Sequence, residues 1–417
     1  MKIEDIYRLY SKNYLVDTDT RSIRKDSMYF ALKGANFNGN EFVKKAVANG
    51  AKYCVIDEQK HKIEGVTILV DNVLKTLQEL ANYHRCQMTI PIIGLTGSNG
   101  KTTTKELINA VLETEFKTTA TQGNLNNHIG VPLTLLSFTK ATEIGIVEMG
   151  ANHQKEIEFL SNICEPDFGY ITNFGKAHLE GFGGIEGVIK GKSELYTYLK
   201  KNNKIAFVNP NDAKHLELTK NISRILLDHS VYISKSQPYL SIQYKNQTIN
   251  THLVGEYNLS NLVVAISIGE HFKISTENII NALENYIPKN NRSQLIEKKS
   301  NKILMDAYNA NPTSTELALD NFSNSNDKNK VVILGDMFEL GDDAPNEHQN
   351  IVNIAKESGI KRCIFVGEHY FKTSAEEKYK TTASLKQLLL KEPIQNSYIL
   401  IKGSRGMALE RILDLIN

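Results

Sequence analysis

The segment Thr96-Gly97-Ser98-Asn99-Gly100-Lys101-Thr102-Thr103 is the part of the sequence that most clearly implies chemistry. Glycines let backbone N–H groups approach phosphate oxygens, and the start of a helix favours negative charge. Lys101 reaches terminal phosphates, and the Thr102 hydroxyl suits Mg²⁺. The strict form of this loop would place glycine at position 95, where the chain has Leu95. A glycine-rich turn without a ligand is the competing reading, but G-K-T-T between an apolar run and an amphipathic one favours nucleotide binding.

Three further side chains invite a chemical reading. Glu148 ends the apolar run GIVEM (145–149), at the edge where parallel sheets bind ligands, and a carboxylate there suits a hard cation. By themselves, His178 in NFGKAHLEGFGG reads as a loop histidine, and Lys192 in IKGKSELY as an exposed helix lysine that pairs with Glu194 or another surface acid.

These residues need elements to hold them. PIIGL (91–95) precedes the glycine-rich turn, and Leu107, Ile108, Val111 and Leu112 after it share one helical face. Further continuous apolar runs, EIGIVEMG (143–150), FGYITNFG (168–175) and KIAFVN (204–209), predict a mainly parallel sheet covered on both faces. Upstream, MYFAL (28–32) and YCVID (53–57) indicate a small αβ unit over residues 1–86. Downstream, KILMDA (302–307), VVILGDM (331–337), RCIFVG (362–367) and YILIKGS (398–404) alternate with helical stretches as a second doubly wound unit. The expected domains are thus 1–86, 87–290 and 291–417, a division that suits a chain of 417 residues.

Composition excludes other classes. A net charge of +2 creates no field to recruit nucleic acid or acidic lipid, which points to small-molecule partners. No apolar stretch approaches a membrane span, and the N-terminal residues lack a signal-like core, so a cytoplasmic location is expected. Cys54, Cys86, Cys164 and Cys363 lack metal-site spacing and read as reduced core thiols.

In order along the chain, GSNGKTT, NLNNHIGVPLTLL, EMGANH, NFGKAHLEGFG, KGKSELY and DAYNANP resemble the Mur ligases over nearly the whole length. That family carries a GxxGKT loop, which accounts for Leu95. GNLNNHIGVPLTLL (123–136) and EMGANHQ (148–154) are most similar to the member that adds a dipeptide, and no counterpart of the DNPR motif of the diamino-acid-adding member is present.

The resemblance implies an α/β fold of three domains: a central P-loop domain with a parallel or mixed sheet, a small N-terminal α/β domain for a UDP-linked substrate, and a C-terminal Rossmann-like domain that closes on the cleft. It implies an ATP-dependent ligase that joins D-alanyl-D-alanine to UDP-N-acetylmuramoyl-tripeptide in peptidoglycan synthesis, acting as a monomer. Another amide ligase of the same superfamily and a non-catalytic binder of ATP and wall precursor are the alternatives.

It also implies roles for individual residues. Gly97, Ser98, Asn99, Gly100, Lys101, Thr102 and Thr103 cradle ATP; Thr102 and Glu148 hold one Mg²⁺. His178 and a carbamylated Lys192 support a second. Asn261 meets the adenine, and Arg292 and Asp306 reach the phosphates and ribose from the third domain. Asn309 and Asn311 are polar contacts in the same cleft, or turn formers after a strand. Asn124, Asn126 and Asn127 line the substrate side. Asp19, Thr20 and Arg21 contact the uridine or its phosphates, or form a threonine-rich hairpin corner. Arg405 meets the dipeptide carboxylate, or caps a helix. The family often has His where Tyr257 stands, Gly where Asn291 stands, and His near Asn40.

Overall fold

The structure, a computed structural model, describes residues 1–289 and 291–416. The expected limit at residue 290 and the last residue, 417, lie outside the described residues. Each continuous apolar run becomes a strand, because a strand with helices on both faces has no solvent side to alternate toward.

The N-terminal sheet is parallel throughout, in the order Val16–Asp17, Met28–Phe30, Tyr53–Ile56, Thr67–Leu69. The central six-stranded sheet runs Ser223–Leu226, Ile205–Val208, Phe168–Ile171, Ile92–Thr96, Ile144–Glu148, Thr118–Ala120, also all parallel. The strand before the glycine-rich turn therefore lies inside this sheet, and all five of its residues are buried. Helices Lys101–Leu112 and Leu259–His271 pack together against one face, with Leu107, Ile108, Val111 and Leu112 in the core.

The third sheet runs Gln294–Lys298, Asn301–Asp306, Tyr398–Lys402, Lys330–Gly335, Arg362–Val366, Glu377–Tyr379. Only its first pair is antiparallel. A separate antiparallel sheet, Tyr232–Lys235, Ser241–Tyr244 and Gln247–Asn250, has no counterpart in the expectation. Lys245 and Asn246 both take positive φ at its tight turn, as such hairpins require.

Helix Val73–Gln87 joins the first sheet to the central one. His84 Nε2 lies 3.1 Å from the Phe138 carbonyl, and the Arg85 guanidinium donates to Asp167 Oδ2 at 2.8 Å. Tyr10 adds a hydroxyl bond to the Leu136 carbonyl at 2.9 Å. The expected limit at 86 falls in the last turn of this helix.

Three expectations need correction. The run 168–175 forms a strand only as far as Ile171, so His178 sits on a long connection beyond it. Val16–Asp17 and Met28–Phe30 pair in parallel, so Asp19, Thr20 and Arg21 lie in a crossover turn and not a hairpin corner. Of the thiols, Cys54 and Cys164 are buried and Cys363 is half-buried against the core, but Cys86 is exposed and is not a core thiol.

Candidate functional site

The phosphate-type loop is fixed by its own glycines and by the next strand. Gly97 has φ +140°, and a side chain there would meet the Thr172 hydroxyl at 2.0 Å; Gly100 has φ +79° and lies against the Asn261 amide. Ser98 N donates to the Asn173 carbonyl (3.0 Å), Asn99 N to Asn173 Oδ1 (3.1 Å) and Ser98 Oγ to the Gly175 carbonyl (2.8 Å). Among the described residues no side chain caps helix Lys101–Leu112, which leaves its first-turn N–H groups for an anion. The Lys101 ammonium donates to the Gly97 and Ser98 carbonyls at 2.7 and 3.2 Å. Burial lowers its pKa, Glu148 opposes that, and the Arg292 charge reinforces it.

Glu148 is 1% exposed, and both of its oxygens are engaged. Oε2 accepts from the Thr102 hydroxyl at 2.9 Å and Oε1 from Asn126 Nδ2 at 2.7 Å. A hydroxyl and a carboxylate in contact beside a phosphate-type loop fit a Mg²⁺ that takes its remaining ligands from water and phosphate. Among the described residues no three His, Cys, Asp or Glu side chains gather as an all-protein metal cage.

Lys192 contradicts its reading as an exposed helix lysine, because the side chain is fully buried. Its ammonium donates to the Ala151 carbonyl at 2.9 Å and lies 4.8 Å from the centre of the Phe182 ring. Burial drives its pKa well below the ordinary lysine value, and the Lys101 charge adds to this. Nor does it pair with Glu194, whose oxygens accept from Lys155 N (2.6 Å) and Glu158 N (2.9 Å) at the start of helix Glu156–Cys164. His178 sits in the left-handed region with its Nδ1 against the Glu339 carboxylate of the third domain. Any further contact of that ring would use Nε2.

The third domain brings its own set. Asp306 Oδ2 accepts from the buried Lys402 ammonium at 2.5 Å, and Oδ1 accepts from Ser293 N at 3.1 Å. The Arg292 guanidinium stacks on the Tyr308 ring at 3.7 Å, with Arg405 5.5 Å from the same ring centre. Asn311 is engaged on two sides. Its side chain accepts from Ser314 N and caps helix Pro312–Ser323, while its Nδ2 donates to Asn99 Oδ1 at 2.7 Å, across to the phosphate-type loop. Tyr257, where the family often has His, bonds the Ser293 hydroxyl at 2.9 Å.

These groups share one cleft of about 510 Å³. Ser98, Asn99, Gly100, Lys101, Thr102 and Thr103 form its floor, and Glu148, Asn124, Asn126 and Asn127 one wall. His178, Asn261, Arg292, Asp306, Asn309 and Asn311 line it as well. Asn127 also accepts from Gly130 N at 2.9 Å, and Asn261 is held by Asn258 and Thr104, both at 2.9 Å.

Gly97, Lys192 and Arg405 do not line it, although Lys192 bonds the lining residue Ala151 and Arg405 lies near the lining residue Tyr308. Asp19, Thr20 and Arg21 lie outside this cleft; Asp19 and Arg21 form an exposed ion pair at 2.6 Å, and the Thr20 carbonyl accepts from Asn49. Sequence reasoning passed over Asn173, Glu156, Phe159, Tyr308, Glu339 and Lys402. Asn173 and Tyr308 lie inside motifs already singled out, NFGKAHLEGFG and DAYNANP, and Lys402 lies in the run YILIKGS; Glu156, Phe159 and Glu339 carry no local signal.

Known families match three stretches of the chain. The Mur ligase family catalytic domain matches residues 13–85, the Mur ligase middle domain 95–269, and the Mur ligase glutamate ligase domain 291–410. The chain is 33% identical to the UDP-N-acetylmuramoyl-tripeptide--D-alanyl-D-alanine ligase of Bacillus subtilis, over 96% of this chain and 93% of that protein. It is 31% identical to the Escherichia coli protein of the same name, over 95% and 92%. The crystal structure of MurF from Acinetobacter baumannii superposes with a TM-score of 0.83 at 30% identity, covering 96% of this chain and 92% of that one.

Proposed function

The chain belongs to the Mur ligase family, and on that footing we propose that it is an ATP-dependent ligase joining D-alanyl-D-alanine to UDP-N-acetylmuramoyl-tripeptide, with release of ADP and phosphate. The observation that carries this reading is the meeting, in one cleft, of the Lys101 loop with Arg292, Asp306 and Asn311 of the third domain. Nucleotide and acceptor can be enclosed there together.

The chemistry has two displacements. An oxygen of the tripeptide's terminal carboxylate attacks the γ-phosphorus and the bond to ADP breaks, giving an acyl phosphate. The amine of D-alanyl-D-alanine then attacks the acyl carbon, the bond to phosphate breaks, and the nitrogen loses its proton. Lys101 and the uncapped N–H groups of its helix stabilise charge that develops on the phosphoryl oxygens. Arg292 and Asp306 would hold phosphate and ribose from the opposite side, and Asn261 the adenine. Acyl phosphates react readily with water, so the contacts that join the third domain to the central one, Asn311 to Asn99 of the loop and Glu339 to His178, serve to keep the site dry.

Thr102 and Glu148 would hold one Mg²⁺, which supplies charge neutralisation on the phosphates when bound. His178 and Lys192 would support a second. A buried amine with a depressed pKa is nucleophilic toward CO₂, and a carbamate on Lys192 would keep an N–H for the Ala151 carbonyl while presenting anionic oxygens. Asp19, Thr20 and Arg21 are assigned to the UDP end, with Arg21 leaving Asp19 for a diphosphate, and Arg405 to the dipeptide carboxylate. The enzyme acts in the cytoplasm as a monomer; among the described residues no helix is long and apolar enough to cross a membrane.

ADP release measured with each substrate omitted in turn tests the reading. Turnover should require both UDP-muramoyl tripeptide and D-alanyl-D-alanine. Equal turnover with free D-alanine or with glutamate would overturn it.

A further inference from the structure

Glu156, Phe159 and Leu160 lie at i, i+3 and i+4 of helix Glu156–Cys164, so they share one face, and all three line the cleft. The Glu156 carboxylate is pinned on one side only. Oε2 accepts from Asn152 N at 2.7 Å and His153 N at 3.0 Å. Oε1 has the His153 ring nitrogen at 3.6 Å, too far for a hydrogen bond, and the side chain is 43% exposed. Burial alone would raise this carboxyl's pKa, but the His153 and Asn152 backbone N–H groups, with a smaller contribution from the His153 ring, outweigh it and lower the pKa. Phe159 exposes 43% of its surface at the same cleft, and Leu317 of the third domain is exposed there as well.

An apolar strip that ends in a half-satisfied carboxylate is complementary to an alkyl stem that ends in an ammonium. Its position matters too. Ala151, which holds the Lys192 ammonium, and Asn152, which holds Glu156, are adjacent in the chain and in the lining, so this face borders the reaction centre. In the ligase reading the reacting carboxylate belongs to the third residue of the acceptor peptide. The side chain of that residue therefore begins beside the centre.

We infer that Glu156, Phe159 and Leu160 form the subsite for the third residue of the acceptor peptide, and that Glu156 selects a side chain with a terminal ammonium. This rests on the ligase reading. Phe159 supports the stem, and the free Glu156 oxygen takes the charge. Glutamine at 156 would retain an oxygen for the Asn152 and His153 N–H groups, so the loop keeps its shape while the charge is lost.

The test compares kcat/KM for UDP-muramoyl tripeptides ending in L-lysine and in L-norleucine, which keeps the stem and lacks the amine. The wild-type enzyme should prefer lysine on the order of tenfold, the scale of one charge-assisted contact that is partly open to water. In Glu156→Gln the preference should collapse toward one, with KM for ATP unchanged. Phe159→Ser should weaken both peptides alike. Equal use of the two peptides by the wild type, or an undiminished preference in Glu156→Gln, would overturn the inference. Failure of every tripeptide to form an amide would instead strike the ligase reading itself.

Discussion

Asn311 carries two separable jobs, and two substitutions pull them apart. Its Oδ1 caps helix Pro312–Ser323 through Ser314 N at 2.9 Å, and its Nδ2 reaches Asn99 Oδ1 at 2.7 Å across the cleft. Asn311→Ala removes both. Loss of an N-cap costs about 1 kcal/mol of stability, and loss of a neutral hydrogen bond about 1 kcal/mol more, here charged against the docked arrangement of the third domain. Asn311→Ser keeps a cap of comparable strength but has no amide to reach Asn99. The serine variant should therefore unfold in urea near the wild-type midpoint, while its kcat/KM for ATP falls about fivefold. The alanine variant should show the same kinetic loss together with a lowered midpoint. A serine variant with wild-type kcat/KM for ATP would refute the argument that this amide couples the third domain to the phosphate loop.

Other outcomes follow from the same geometry. Lys101→Ala should abolish turnover with native-like circular dichroism, since its charge is needed mainly in the transition state; retained kcat would show that the loop has been misread. Lys192→Ala should lose activity that short carboxylic acids partly restore, and bicarbonate-grown crystals should show a carbamate on Lys192; an unmodified ammonium in an active, Mg²⁺-bound complex would refute that assignment. His84 is buried with its Nδ1 unpartnered, and its pKa is lowered from 6.5 to about 4 by burial, against a raising effect from the Phe138 carbonyl. Its folded pKa is below the unfolded one, so its stabilisation is complete above pH 6.5 and is lost as pH falls toward 4; urea midpoints across that window should fall with acidity, less steeply in His84→Gln.

The strands read from the sequence are those buried on both faces, since only these appear as continuous apolar runs. Thr118–Ala120, Ser223–Leu226, Gln294–Lys298 and Glu377–Tyr379 lie at sheet edges, where one side meets solvent and the apolar signal thins. The strands of the separate hairpin sheet are only four residues each, too short to stand out as continuous apolar runs. At the site, the loop chemistry was legible because its residues are consecutive. Lys192 was not, since its helix looks polar and its burial comes from Phe182 and Ala151 folding over it. Pairs such as Lys402 with Asp306 and Glu339 with His178 join distant parts of the chain, and no local pattern announces them.

The central claim is that the cleft activates a carboxylate as an acyl phosphate and passes it to a dipeptide amine. It is tested most directly by UDP-muramoyl tripeptide labelled with oxygen-18 in its terminal carboxylate, incubated with ATP and D-alanyl-D-alanine, with both products read by mass spectrometry. The account predicts a pentapeptide product and, in step with it, inorganic phosphate that carries one labelled oxygen from the carboxylate. Amide product accompanied by unlabelled phosphate would contradict it.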